Sequence, residues 1–162
     1  MTAPNYRTGL VAIALSLVLL GAAWGADRDN WLVLQRVGTA QPEILTVVRD
    51  LPGPAVQKKF PVLMEVAWRY KALPNGMPTE EELALGKRLY DALDGIFADR
   101  GMHVMTRTGD GGRSMYFHVD NAERHGDALK AFFDSLPPMS VQVQARDEPD
   151  WETVREVHGA IK

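Results

Sequence analysis

The chain has 162 residues, a formal net charge of −3 and no cysteine. It therefore has no disulfide, no thiol chemistry and no lipidated cysteine, and burial of apolar side chains must stabilise it. A mildly acidic chain without a lysine- or arginine-rich tract argues against nucleic-acid binding.

The first 26 residues have the layout of a secretory signal peptide. An uncharged stretch, residues 8–26, follows Arg7 and is rich in Leu, Val and Ala; charge returns at Asp27. The pattern predicts cleavage after Gly25 or Ala26 and a periplasmic or secreted protein without membrane association. The alternative is an N-terminal membrane anchor, because roughly 20 apolar residues span a bilayer. The absence of cysteine favours a bacterial periplasm.

Residues 27–162 approach the usual size of one domain and are predicted to form a single α+β domain. Apolar residues alternate strictly from Phe60 to Tyr70, which predicts a strand with one buried face. Asp110-Gly111 between two β-rich runs indicates a hairpin. The predicted strands are 31–37, 43–49, 60–70, 102–108, 113–119 and 140–145.

Three helices are predicted between and after these strands. Thr79 and Glu82 have capping-box spacing, which places the start of a helix that ends at a left-handed Gly101. A second helix follows residues 120–121, and a third opens at Pro149. Residues 52–54, Pro-Gly-Pro, are interpreted as a break in the chain.

The order of elements is β-β-β-α-β-β-α-β-α, and its middle has the ferredoxin-like arrangement. The sequence thus predicts an α+β, ferredoxin-like two-layer sandwich. Its antiparallel sheet carries helices on one face, is open to solvent on the other and is extended by an N-terminal β-hairpin.

The order of several short motifs resembles the bacterial domain of unknown function 695 family over residues 31–157. The motifs are an aromatic pair (Trp68, Tyr70), Gly-Met-Pro at 76–78, Glu-Glu-Glu-Leu at 80–83, Thr-Gly-Asp-Gly-Gly-Arg at 108–113, Met-Tyr-Phe at 115–117 and Asp-Glu-Pro-Asp-Trp at 147–151. The resemblance implies a ferredoxin-like α+β domain, with a distant similarity in outline to the B-type regulators of ribonuclease E. It implies no agreed activity and no catalytic residue.

Glu65, Arg69 and His118 are the candidate ligand-binding residues. Glu65 and Arg69 face away from the apolar stripe of their strand, and His118 faces opposite to Phe117, so all three are expected on the solvent-exposed face. A carboxylate and a guanidinium there can clamp a ligand; the alternative is a solvated surface with cross-strand charge pairs. The histidine spacings match no metal motif, and we predict no metal and no cofactor.

No catalytic motif is visible in the sequence. We therefore predict a non-enzymatic binding or interaction domain, with a protein or small-molecule partner of unknown identity. The alternative is a small hydrolase with its site around Glu65, Arg69 and His118 on the exposed sheet face. A homodimer formed through the sheet face or a sheet edge is a third hypothesis.

Overall fold

The computed structural model describes residues 30–36 and 41–161. The predicted signal segment, residues 1–26, lies outside them. The described residues form six strands and four α-helices: β1 (Trp31–Arg36), β2 (Glu43–Val48), α1 (Pro54–Lys59), β3 (Val62–Arg69), α2 (Glu80–Phe97), β4 (Gly101–Gly109), β5 (Gly112–Val119), α3 (Glu123–Asp134), β6 (Val141–Asp147) and α4 (Glu152–Ile161). No helix in this part of the chain is long and apolar enough to cross a bilayer.

All six strands join one antiparallel sheet with the order β1-β2-β4-β5-β3-β6. The predicted N-terminal hairpin is confirmed, and it extends the sheet because β2 pairs with β4. The β4–β5 hairpin turns at Asp110 and Gly111, both with positive φ (49° and 67°), as a tight two-residue turn requires. β1 and β6 are the two edge strands.

The helices α2 and α3 cover one face of the sheet. The predicted alternation of β3 is confirmed on this face, where Met64, Val66 and Trp68 are buried in one cluster with Leu89 and Leu93 of α2. Thr79 caps α2 as predicted, because its Oγ1 accepts a hydrogen bond of 3.3 Å from the backbone N–H of Glu82.

The prediction that the second face carries no helix is wrong. There Val154 of α4 and Trp151, the residue before α4, belong to a separate buried cluster that also holds Leu63 and Val104. The hairpin explains the difference, because β2 adds further apolar side chains, such as Val47, to this face. An apolar sheet surface of that extent must be covered. The covered part is the half of the face near α1 and α4, and the other half stays open.

Three local predictions about helices are also corrected. The Pro-Gly-Pro segment is followed by the short helix α1, with Pro54 in its first turn. The left-handed residue after α2 is Ala98 (φ 42°), whereas Gly101 is extended and begins β4. The last helix begins at Glu152 rather than at Pro149, because β6 continues to Asp147 and Trp151 has a positive φ of 56°.

Candidate functional site

The open half of the second face contains a cleft of about 330 Å³. Its floor consists of side chains from neighbouring strands. The register places Glu65 opposite Tyr116, Ala67 opposite Ser114, and Arg69 opposite Gly112. The polar residues of the lining are Glu43, Glu65, Arg69, Arg107, Asp110, Arg113, Ser114, Tyr116, Ser140 and Gln142.

Glu65 and Tyr116 form a fixed pair at one end of the cleft. The Tyr116 hydroxyl donates a hydrogen bond of 3.0 Å to Oε1 of Glu65. Burial, and then the adjacent Glu65 carboxylate, raise the pKa of Tyr116 to about 12. The phenol therefore stays protonated near neutral pH and serves as a donor that orients the carboxylate.

A second pair lies where β2 and β4 meet. Nη2 of Arg107 donates a hydrogen bond of 2.7 Å to Oε2 of Glu43. Arg36 approaches the same oxygen to 4.0 Å. The Glu43 carboxylate is thus neutralised by arginine, and this side of the cleft is held together by its own charges.

Arg69 differs from these pairs because its side chain makes no hydrogen bond and no salt bridge with any described residue. Its guanidinium lies over the β4–β5 turn: a Cβ built on Gly112 would be 3.0 Å from Nη1 of Arg69, and one on Gly111 would be 3.7 Å from Nη2. The glycines of the turn therefore make room for the arginine. An exposed cation of this kind is available to an anionic ligand.

Arg113 touches the edge of the cleft, but its side chain runs to the opposite side of the sheet. It pairs in register with Trp68, which belongs to the α2–α3 cluster. A Cβ on Gly86 of α2 would be only 2.6 Å from Nη1 of Arg113. Burial lowers the pKa of Arg113, and its Nε has no hydrogen-bond partner among the described residues. Gly86 is thus needed to accommodate the guanidinium.

The sequence model of the family of unknown function DUF695 matches residues 29–157. The chain belongs to the DUF695 family. The match spans the whole sheet and the cleft of this DUF695 protein. No curated protein and no solved structure matches the chain. The similarity in outline to the B-type regulators of ribonuclease E stays a prediction.

His118 is not part of the cleft, which corrects the expectation that it faces solvent. It does lie on the face opposite to Phe117, but it is fully buried beneath Trp151 and Glu148, which precede α4. Its ring stacks on that of Trp151, with centroids 3.8 Å apart and an angle of 3° between the planes. Nδ1 donates to the carbonyl of Phe60 at 3.1 Å, and Nε2 lies 3.9 Å from Oε1 of Glu148.

Glu148 is the centre of a small buried network that fixes the start of α4. Its carboxylate accepts hydrogen bonds from the backbone N–H of Thr153 (2.7 Å), the Thr153 hydroxyl (3.0 Å) and Nε of Arg146 (3.0 Å). The carboxylate thereby caps the first turn of α4. The environment of His118 is accordingly structural, because its neighbours serve the docking of the last helix.

Of the three residues predicted from the sequence of this DUF695 protein, Glu65 and Arg69 line one cleft and His118 does not. Tyr116 and Arg107 were missed. Tyr116 is two residues before His118 along β5, so the alternation of the strand was enough to predict that it lies on this face. Arg107 could be assigned to the cleft only from the register between the strands. Within residues 30–36 and 41–161, no group of three His, Asp or Glu side chains is placed to hold a metal ion.

Proposed function

We propose that this protein is an exported, non-enzymatic binding domain whose cleft takes a short peptide. The central strands β4-β5-β3-β6 are joined in the order β3-α2-β4-β5-α3-β6, which supports a ferredoxin-like unit extended by the β1–β2 hairpin. Export is supported by the signal-like pattern of residues 1–26.

The charges of the cleft suit an elongated zwitterion. Glu65 and Arg69 point to the same side of β3 and are four residues apart, which separates their Cα atoms by about 13 Å. The small side chain of Ala67 lies between them and leaves space above the strand. A ligand with an ammonium group at Glu65 and a carboxylate at Arg69 matches a short extended peptide better than a single amino acid.

Arg69 carries this proposal. Its guanidinium is held over the hairpin turn without a hydrogen bond or salt bridge to the described part of the chain. A guanidinium recognises a carboxylate through two parallel N–H donors. The cleft volume of about 330 Å³ is within the range of small-ligand sites, roughly 300–1,000 Å³.

The position of His118 favours binding over hydrolysis. Histidine is the most frequent general base of enzymes that work near neutral pH. None of the histidines in the described part of the chain lines the cleft. The Tyr116 hydroxyl donates a hydrogen bond to Glu65 and stays protonated near neutral pH. The residues of the cleft are therefore suited to hold charges in place.

Calorimetric titration with trialanine, its C-terminal amide and its N-acetyl form tests the proposal. We expect trialanine to bind and each blocked form to bind with an affinity at least about tenfold lower, because each loses one charge-assisted contact. Arg69→Met should abolish the difference between trialanine and its amide. Glu65→Gln should abolish the difference between trialanine and its acetylated form.

Two exposed residues outside the cleft provide matched controls. Arg88→Met on α2 and Glu156→Gln on α4 make the same chemical changes without altering the cleft lining, and both should bind trialanine like the unchanged protein. The proposal is refuted if trialanine gives no heat at millimolar concentration. It is refuted equally if Arg69→Met and Arg88→Met bind with the same affinity.

A further inference from the structure

Among residues 30–36 and 41–161, no strand pairs with the outer edge of β6. The backbone N–H of Arg69 donates to the carbonyl of Ser140 at 3.4 Å, and that of Glu148 donates to the carbonyl of Pro61 at 2.7 Å. Antiparallel pairing alternates along a strand, so the even-numbered residues of β6 bond to β3. The N–H and C=O groups of Val143, Ala145 and Asp147 point away from the sheet.

Most of β6 lacks the features that protect an edge, since its only charged residues, Arg146 and Asp147, lie at its C-terminal end. Edge strands commonly carry a lysine, a proline or a bulge, each of which blocks the addition of another strand. The seven residues of β6 include no lysine and no proline, and their register with β3 runs without a shift. Such a strand is a template for a further strand.

The side chains beside this edge form an apolar strip. Val143 lies opposite Val66 and therefore on the α2–α3 face, yet its side chain is 42 % exposed. A groove of about 370 Å³ adjoins it, lined by Phe133 of α3 and by residues of the α3–β6 connection such as Leu136 and Met139. An added strand would cover Val143 and place side chains of its own against the groove.

We propose that this edge pairs with β6 of a second copy of the chain, antiparallel and centred on Gln144. This register overlaps all seven residues and joins the outward groups of Val143 to those of Ala145 in the second copy, as antiparallel pairing requires. No two like charges face each other, because Gln144 meets Gln144 and Arg146 meets Gln142. A two-fold axis relates the copies, so the contact is self-complementary.

The β1 edge is the alternative place for such a contact, and it provides the matched control. Val33 of β1 is 70 % exposed, but β1 is one residue shorter than β6. Val143→Lys and Val33→Lys make the same substitution at an exposed position of each edge strand. Neither replaces a buried side chain, so both variants should fold.

Sedimentation of the protein purified from cells expressing the full chain, over a range of concentrations, tests the proposal. We expect a dimer that dissociates on dilution, that is lost in Val143→Lys and that is retained in Val33→Lys. In the dimer, the amides of Val143 and Ala145 should exchange slowly with solvent, and dilution should accelerate their exchange.

Three outcomes would overturn the proposal: a monomer at every concentration, a dimer that survives Val143→Lys, or a dimer lost only in Val33→Lys. A strand from another protein on this edge would appear as a monomer when the chain is purified alone. The two proposals are tested on different residues, because trialanine binding is measured on Arg69 and Glu65, which face the other side of the sheet from Val143.

Discussion

The buried ring of His118 makes the stability of the fold depend on pH. Burial lowers the pKa of His118 from 6.5 to about 4, and the nearby Glu148 carboxylate offsets this only in part. Below pH 6.5 the unfolded chain binds a proton at this ring that the folded chain does not bind. Stability therefore falls as the pH drops from 7 toward 4 and is unaffected by this ring above about pH 7.5.

The size of the effect follows from the two pKa values. The pKa of His118 is 6.5 in the unfolded chain and about 4 in the folded chain. This difference makes the free energy of unfolding about 2 kcal/mol lower at pH 5 than at pH 8. His118→Asn removes the titrating ring but keeps an N–H that can reach the Phe60 carbonyl. The variant should be less stable than the wild type at pH 8, because it loses the stacking on Trp151. Its free energy of unfolding should, however, fall less between pH 8 and pH 5 than that of the wild type, by the same amount.

Urea unfolding of both proteins at pH 8, 7, 6 and 5, followed by circular dichroism, measures this difference. His103 is also buried, and burial lowers its pKa to about 3, but it is present in both proteins and cancels in the comparison. Equal losses of stability in the wild type and in His118→Asn would refute the argument, because they would show that the ring is not held neutral.

Three further predictions concern the core, a close contact and the N-terminus. Trp68→Ala should lower the free energy of unfolding by about 3–5 kcal/mol, because the side chain is 3 % exposed; a loss below about 1 kcal/mol in urea would contradict its placement. Gly101→Ala should destabilise by about 1–3 kcal/mol, since its Cβ would be 2.9 Å from a core side chain, whereas Gly95→Ala, in open space on α2, should stabilise slightly. Sequencing of the exported protein should find Ala26 or Asp27 first; Met1 on membrane-bound material would instead indicate an anchor.

The strands were predictable because their signals are local. The alternation over β3, the Asp110-Gly111 turn and the Thr79 cap each depend on a few neighbouring residues, and the structure confirms all three. α1 was missed because a six-residue helix without a buried side chain has no apolar periodicity. Residues 52–54 were expected only to break the chain, but Pro54 also begins α1, because proline is favourable in the first turn of a helix.

The sequence predicted which face of the sheet carries the site residues, because this depends only on the alternation of side chains along a strand. Parity placed Glu65, Arg69 and His118 on one face correctly, but parity does not say which part of a face another element covers. The burial of His118 depends on α4, whose start is fixed by Glu148 and by the positive φ of Trp151. Both depend on tertiary packing, because the stack joins His118 of β5 to Trp151, the residue before α4.

The cleft is built on neighbouring strands of one sheet, and this has a consequence for the speed of recognition. Its side chains stand on backbone that is already hydrogen-bonded on both sides in β5 and β3. The peptide proposed above would meet a surface that does not need to rearrange, so its association is expected to be limited by encounter in solution, with a single kinetic phase. Changes in ligand preference would accordingly come from replacing individual side chains on the strands, without a change in the motion of a loop.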